Sequence, residues 1–181
     1  MGSMEFNHCL KEVFQGACVD LFNSLDCSVA CAERNECDLY DAPVACIDAG
    51  SKELELVLGL QMPIAILALT YPVNASMGAV REESLEDWIS ELSNQLIGKV
   101  KSKLNSNENV LQLGLPVTYF GDDENELMQQ DEKIALYFEL DGEVCACYLS
   151  VELLVKAEDI RPSEYFQQGV EDSAVGELEF F

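Results

Sequence analysis

An α+β fold is predicted from three features of the sequence. Two long stretches carry apolar residues every three or four positions, several short blocks alternate apolar with polar residues, and Asp141-Gly142 joins the last two blocks as a tight hairpin. At 181 residues the chain holds one domain with a substantial core rather than two. Its 34 acidic residues against 10 basic ones leave a formal charge of -24. That balance argues against nucleic acid as a partner, because counterion release needs clustered Lys and Arg, and it disfavours anionic membrane surfaces for the same reason. The longest apolar run, Met62 to Val73, is interrupted by Pro63 and Pro72 and is too short to span a bilayer. Met1-Gly2-Ser3 ahead of Met4 reads as a cloning remnant. The start lacks the charged and continuous apolar segments of a secretory signal, so a cytoplasmic location is expected.

The first helix is predicted over about Phe6 to Asn23, where Leu10, Phe14, Ala17 and Leu21 form one apolar stripe. Its outward face carries His8, Glu12, Gln15 and Val19. Strands are expected over Cys27 to Glu33, with Cys27, Val29 and Cys31 alternating, then Val44 to Asp48, then Glu53 to Leu60. In the last of these Leu54, Leu56, Leu58 and Leu60 share one side of a half-buried strand. Asp48-Ala49-Gly50-Ser51 is read as the turn between the two. Met62 to Thr70 reads as a short helix, since Pro63 suits a first helical turn and Pro72 stops one.

A long helix follows over about Ser84 to Leu104. Val110 to Phe120 then reads as a strand alternating Leu111, Leu113, Leu115, Val117 and Tyr119, in which Pro116 points to an edge or a bulge. Gly121 to Asp131 is an acidic loop whose Asp122, Asp123, Glu124 and Glu126 lack calcium-loop spacing. Glu132 to Leu140 and Val144 to Val155 are the hairpin arms, with Cys145, Cys147, Leu149, Val151 and Leu153 on the inner side. The domain is placed at residues 4–156. Residues 157–181 form an acidic C-terminal tail, docked or loose, that still carries Tyr165, Phe166, Phe180 and Phe181.

Eight cysteines, at positions 9, 18, 27, 31, 37, 46, 145 and 147, are read as reduced thiols acting as small hydrophobes. The spacing of Cys27, Cys31 and Cys37 fits no common zinc or iron-sulfur pattern, and His8 is the single histidine, so no metal site is expected.

The long helix has two dissimilar faces. At about 100° per residue, Asp87, Glu91, Asn94 and Gly98 fall within about 60° of one another, opposite Leu85, Leu92, Leu96 and Val100. A solvent-facing glycine inside a helix costs about 1 kcal/mol relative to alanine, which points to a need for close approach there. The pattern Asp87-x-x-x-Glu91-x-x-Asn94, with Gly98 four residues on, resembles the signature helix of the CheC/CheX family of chemotaxis phosphatases. The order of elements from about Phe6 to Val155 is similar to the single-motif, CheX-like members, and so are Val44 to Gly50 and Leu115-Pro116-Val117-Thr118 with Gly121. The outward face of the first helix repeats the motif's offsets in degenerate form, which agrees with the two pseudo-symmetric halves of that family. The resemblance implies a CheC-like fold, an α/β sandwich in which an antiparallel-rich mixed sheet packs against the N-terminal and signature helices. A homodimer is implied as well.

By the same resemblance, the substrate is a phosphorylated CheY-like response regulator, and the chemistry is hydrolysis of its aspartyl phosphate. Mg²⁺ is expected on that partner, with no cofactor bound by this chain. An amide can accept a hydrogen bond from water and donate one to a phosphoryl group without adding repulsive charge, which makes Asn94 the candidate for fixing the attacking water. Glu91, one turn away at about 4.5 Å along the axis, is implied to dock on the regulator's active-site lysine. Gly98 would let a partner loop settle against the helix, and Asp87 is a further partner-binding candidate. Trp88 is expected to be buried on the flank.

Plainer readings stand beside these. Ser84-Leu85-Glu86-Asp87 is close to a capping box, so Asp87 is also a candidate cap; Lys99, Lys101 and Lys103 suit the helix dipole without a ligand; Glu12 and Gln15 read as solvated surface. Two other functions compete with the phosphatase: a non-catalytic adaptor that sequesters or senses a signalling protein, and a redox or metal sensor using Cys27, Cys31 and Cys37.

Overall fold

Helix α1 (Ser3–Phe22) turns its apolar stripe wholly inward: Leu10, Phe14, Ala17 and Leu21 are buried, together with Phe6, Cys18 and Phe22. The computed structural model describes residues 3–32, 39, 41–72, 81–104, 110–120, 127 and 132–156. After α1 a short 3-10 turn (Asn23–Leu25) ends at Asp26, whose left-handed backbone (φ 56°) reverses the chain. The strands are β1 (Val29–Cys31), β2 (Val44–Gly50), β3 (Leu54–Gln61), β4 (Gln112–Leu113), β5 (Val117–Tyr119), β6 (Ile134–Leu140) and β7 (Glu143–Leu153), and the remaining helices are α2 (Ile64–Thr70) and α3 (Glu82–Leu104).

The strands form one sheet in the order β1-β6-β7-β3-β2-β4, with β5 also paired to β2, and every described pairing is antiparallel. The α+β class expected from the sequence, one sheet packed against the N-terminal helix and the long helix, is what the chain adopts, except that the sheet expected to be mixed is antiparallel in every described pairing. Register explains why the leucine alternation matters. Leu58 stands between Ile47 and Leu149, Leu60 pairs with Cys147, and Leu56 pairs with Val151, so a continuous apolar surface faces α1 and α3. On α3, Leu85, Ile89, Leu92, Leu96, Ile97 and Val100 close this core. Each such side chain contributes about 1.5–3 kcal/mol when fully buried.

The opposite face of the sheet has a smaller core of Val44, Cys46, Ala146 and Tyr148, covered by Leu39 and Leu127. Leu127 is seated directly on Gly59, where a Cβ would lie 2.7 Å from its methyl carbon. Beneath Leu39 a buried relay satisfies its own polar groups. The Tyr148 hydroxyl donates to Gln61 Oε1 (3.0 Å), and Gln61 Nε2 donates to the carbonyls of Leu39 (2.8 Å) and Ala42 (3.1 Å).

Asp141 and Gly142 both have positive φ (48° and 91°), as the tight primed turn between β6 and β7 requires. Asp141 also exchanges hydrogen bonds with Ser28, accepting from its N–H and donating to its carbonyl, which fixes the entry to β1.

Four local expectations change. The turn expected at Asp48 to Ser51 begins later, because Ala49 and Gly50 continue β2 by pairing with β3 and β4. The strand expected over Val110 to Phe120 is broken around Pro116 into β4 and β5, both on β2, so Leu113, Leu115 and Val117 of its alternation face solvent at the sheet edge, while Leu111 joins the main core and Tyr119 packs on the smaller one. The strand expected over Cys27 to Glu33 shrinks to β1, an edge strand with Cys31 exposed. Helix α1 begins at Ser3, ahead of the start expected at about Phe6. The acidic side chains of 121–131, Cys37 and the tail from 157 onward lie outside the described residues.

The seven described cysteines are free thiols, five of them buried. Burial pushes the Cys145 thiol up to about 12, and the Cys147 thiol is raised by burial and by the neighbouring Cys18. Such protonated, enclosed thiols are chemically inert core residues.

Candidate functional site

Helix α3 lies against β2 and is tied to its surroundings by polar contacts on its flanks, none of which uses a motif residue. On one flank the Trp88 indole donates to Thr70 Oγ1 at the end of α2 (3.0 Å), and its ring meets Tyr71 edge-on at 6.1 Å. On the other flank the hydroxyls of Ser90 and Thr118, on β5, share a hydrogen bond of 2.9 Å. Near the C-terminus, Lys103 forms a 2.9 Å ion pair with Asp20 of α1. The lysine reaches Asp20 over Gly16, where a Cβ would stand 3.1 Å from Nζ. Buried Ser93 satisfies its hydroxyl by donating to the Ser90 carbonyl (2.9 Å). The rotation of α3 about its own axis is thereby fixed, which decides what its outer face presents.

That outer face carries the four expected residues. Asp87 and Glu91 are exposed, while Asn94 and Gly98 are half-exposed between them and the helix shoulders. A methyl group at Gly98 would meet nothing within 4 Å among the described residues, so none of them packs on the bare patch. The Asn94 side chain makes no hydrogen bond among the described residues. Glu91 accepts one, from Gln95 Nε2 at 3.0 Å, through Oε1. The face therefore presents an unengaged amide beside a carboxylate whose Oε2 meets no donor among the described residues, with backbone accessible one turn further on.

One reading of Asp87 is corrected. Helix α3 starts at Glu82, and Ser84 and Leu85 already donate their N–H groups to the Arg81 carbonyl, so Ser84 is no cap and Asp87 stands in the helix interior. Trp88, expected to be buried, is half-buried and packs against the main core.

The degenerate copy of the motif on α1 also faces outward, with His8, Glu12 and Gln15 exposed; His8 and Glu12 pair with each other at 3.4 Å. Val19, in the position that Gly98 holds on α3, packs against the core. Among the described residues, no group of three or more His, Cys, Asp or Glu is placed to hold a metal ion, and no helix is long and apolar enough to cross a membrane.

Sequence reasoning missed Thr70, Ser90 and Thr118, which set the helix in place. Ser90 sits one turn before Asn94, yet its partner is remote in sequence and carries no local signal.

No protein-family model and no curated protein matches the sequence. Solved structures do. The chain is similar to CheX from Vibrio vulnificus (13% identity, TM-score 0.61, 78% of this chain and 97% of that one). It is similar to a CheC-like chemotactic protein from Shewanella oneidensis MR-1 (14%, TM-score 0.60, 81% and 99%). A third match is CheX from Borrelia burgdorferi, solved in complex with CheY, BeF3 and Mg²⁺ (15%, TM-score 0.56, 78% and 96%). At such identities the shared property is architecture: this chain has the fold of the CheC- and CheX-like chemotaxis proteins.

Proposed function

We propose that this protein is a phosphatase acting in the cytoplasm on a phosphorylated CheY-like response regulator, whose aspartyl-phosphate site receives the outer face of α3. One observation carries the reading. Glu91, Asn94 and Gly98 stand together on a helix locked by its neighbours, facing solvent, with the Asn94 amide unengaged among the described residues and the space over Gly98 open. The solved pairing of a CheX with CheY on the same fold gives the face a partner of the right kind.

In this mechanism the regulator supplies Mg²⁺ and a lysine, and Glu91 docks on that lysine. Gly98 admits the regulator's loop, and Asp87 adds a contact one turn before Glu91. Asn94 accepts a hydrogen bond from a water in line with the phosphorus and donates one to a phosphoryl oxygen. Water attacks phosphorus, the bond to the carboxyl oxygen breaks, and the products are inorganic phosphate and the free aspartate. Positioning a reactant in this way is worth orders of magnitude in rate. This chain binds no cofactor of its own.

Two copies associate in the same reading. Among the described residues the edge formed by β4 and β5 pairs only with β2, and it exposes Leu113 (40%), Leu115 (83%) and Val117 (52%). An open apolar edge of this kind is a template for a further strand. Replacing Leu115 and Val117 with lysine is expected to yield a monomer by light scattering.

The deciding experiment is phosphate release from a panel of phosphorylated regulators in Mg²⁺. The phosphatase reading requires faster release with the wild-type protein than without it, and loss of that acceleration in Asn94→Ala. Binding without acceleration would leave an adaptor that sequesters the regulator.

A further inference from the structure

Ten basic residues are set against 34 acidic ones in this chain, so a cation on the motif face is conspicuous. Three lysines end α3, and their surroundings differ. Lys103 is held by Asp20. Lys99 and Lys101 form no ion pair among the described residues, and both are half-exposed. Taking Asp87 as zero and about 100° per residue, Asn94 projects at about -20°, Gly98 at about 20° and Lys101 at about -40°, whereas Lys99 projects at about 120°. Lys101 therefore continues the motif face, and Lys99 does not. A helix dipole accounts for lysines near the C-terminus but does not distinguish the two, since it acts on any cation in the last turns.

We propose that Lys101 is the cationic end of the docking face and takes an acidic side chain of the regulator beside its phosphorylation site. This rests on the phosphatase reading of the same helix. Lys101 is seven residues beyond Asn94, about 10.5 Å along the axis. Glu91 and Lys101 then bracket the amide with opposite charges, so a regulator bound the other way round along α3 meets like charges at both ends. Opposed charges at the rim of an interface fix orientation and speed association more than they deepen affinity. The face is thus polar in the literal sense, and its polarity sets which way the regulator lies along α3.

The test compares Lys101→Glu with Lys99→Glu, using the regulator on which the wild type releases phosphate fastest. Both variants lose one dipole-compensating cation, so their thermal stabilities should fall equally. Lys101→Glu is expected to raise KM about tenfold at low salt with kcat nearly unchanged, an effect that shrinks as ionic strength rises, while Lys99→Glu keeps the wild-type KM. Lys101→Arg should restore most of the loss, because the charge is what counts. Equal KM for the two reversals, or a Lys101→Glu defect insensitive to salt, overturns the assignment. Asn94→Ala is run alongside: if it retains full turnover, or if no regulator is turned over at all, the phosphatase reading itself has failed, whereas its loss together with equal KM values removes Lys101 alone.

Discussion

Helices α1 and α3 pack side by side on the same sheet and carry outward faces with the same offsets, yet the two faces differ in what they present. His8, Glu12, Gln15 and Val19 correspond in spacing to Asp87, Glu91, Asn94 and Gly98. On α1 the first two side chains pair with each other, and the last packs against the core. On α3 the amide is unengaged among the described residues, and the last position is bare and open. The glycine of α1 is placed differently: Gly16 lies under the ion pair between Lys103 and Asp20, where it serves the fold rather than a partner. The Gln15 amide of α1 is likewise without a hydrogen bond among the described residues, so what separates the two faces is chiefly the last position, closed by Val19 on α1 and open at Gly98 on α3.

The largest effect expected from breaking this contrast is at Asn94. Asn94→Ala should reduce phosphate release by about 100-fold or more, as loss of a positioned water implies, with an unchanged melting temperature. Gln15→Ala on α1 should leave release at the wild-type rate, and a matching loss there would place a second active face on the molecule. Glu91→Ala comes next. Its KM for the phosphorylated regulator should rise about tenfold, roughly 1.4 kcal/mol, with kcat changed far less. A fall confined to kcat would move Glu91 from docking into the chemical step.

Gly98→Ala sharpens the comparison because stability and function should part company. The methyl group meets nothing, so urea denaturation is expected to show about 0.5–1 kcal/mol of added stability, while the crowded face raises KM several-fold. Stabilisation with an unaltered KM would mean that no partner approaches this backbone. The smallest effect is the reciprocal one. Val19→Gly should cost about 1–2 kcal/mol of stability through lost packing and helix propensity, and should leave phosphate release untouched.

Much of this contrast was legible in the sequence, because helical periodicity is local. The stripe from Leu10 to Leu21 and the stripe from Leu85 to Val100 assigned the buried faces, and the outward residues followed by subtraction. Asp87 shows the limit of that reasoning. Ser84 has the right composition for a cap, but the helix starts two residues earlier, with Arg81 accepting the first bonds. The segment from Leu111 to Tyr119 shows a deeper limit. Alternation predicted a strand with a buried side, whereas the chain spends Leu113, Leu115 and Val117 on an exposed edge, and alternation alone cannot say whether a sheet has a neighbour there.

By itself the sequence determined the two amphipathic helices, the leucine-lined β3, the hairpin turn at Asp141-Gly142 and the sector of α3 that faces away from the core. Each depends on periodicity or backbone preference within a few residues. Only the tertiary structure decided that Trp88, Ser90 and Lys103 fix the rotation of α3, that the Asn94 side chain spends no hydrogen bond on described residues while Val19 closes the matching position on α1, and that Lys103 is held by Asp20 while Lys101 forms no ion pair among the described residues. Those outcomes depend on which groups meet across long separations in the chain, and contacts between distant segments leave no pattern in a single run of residues.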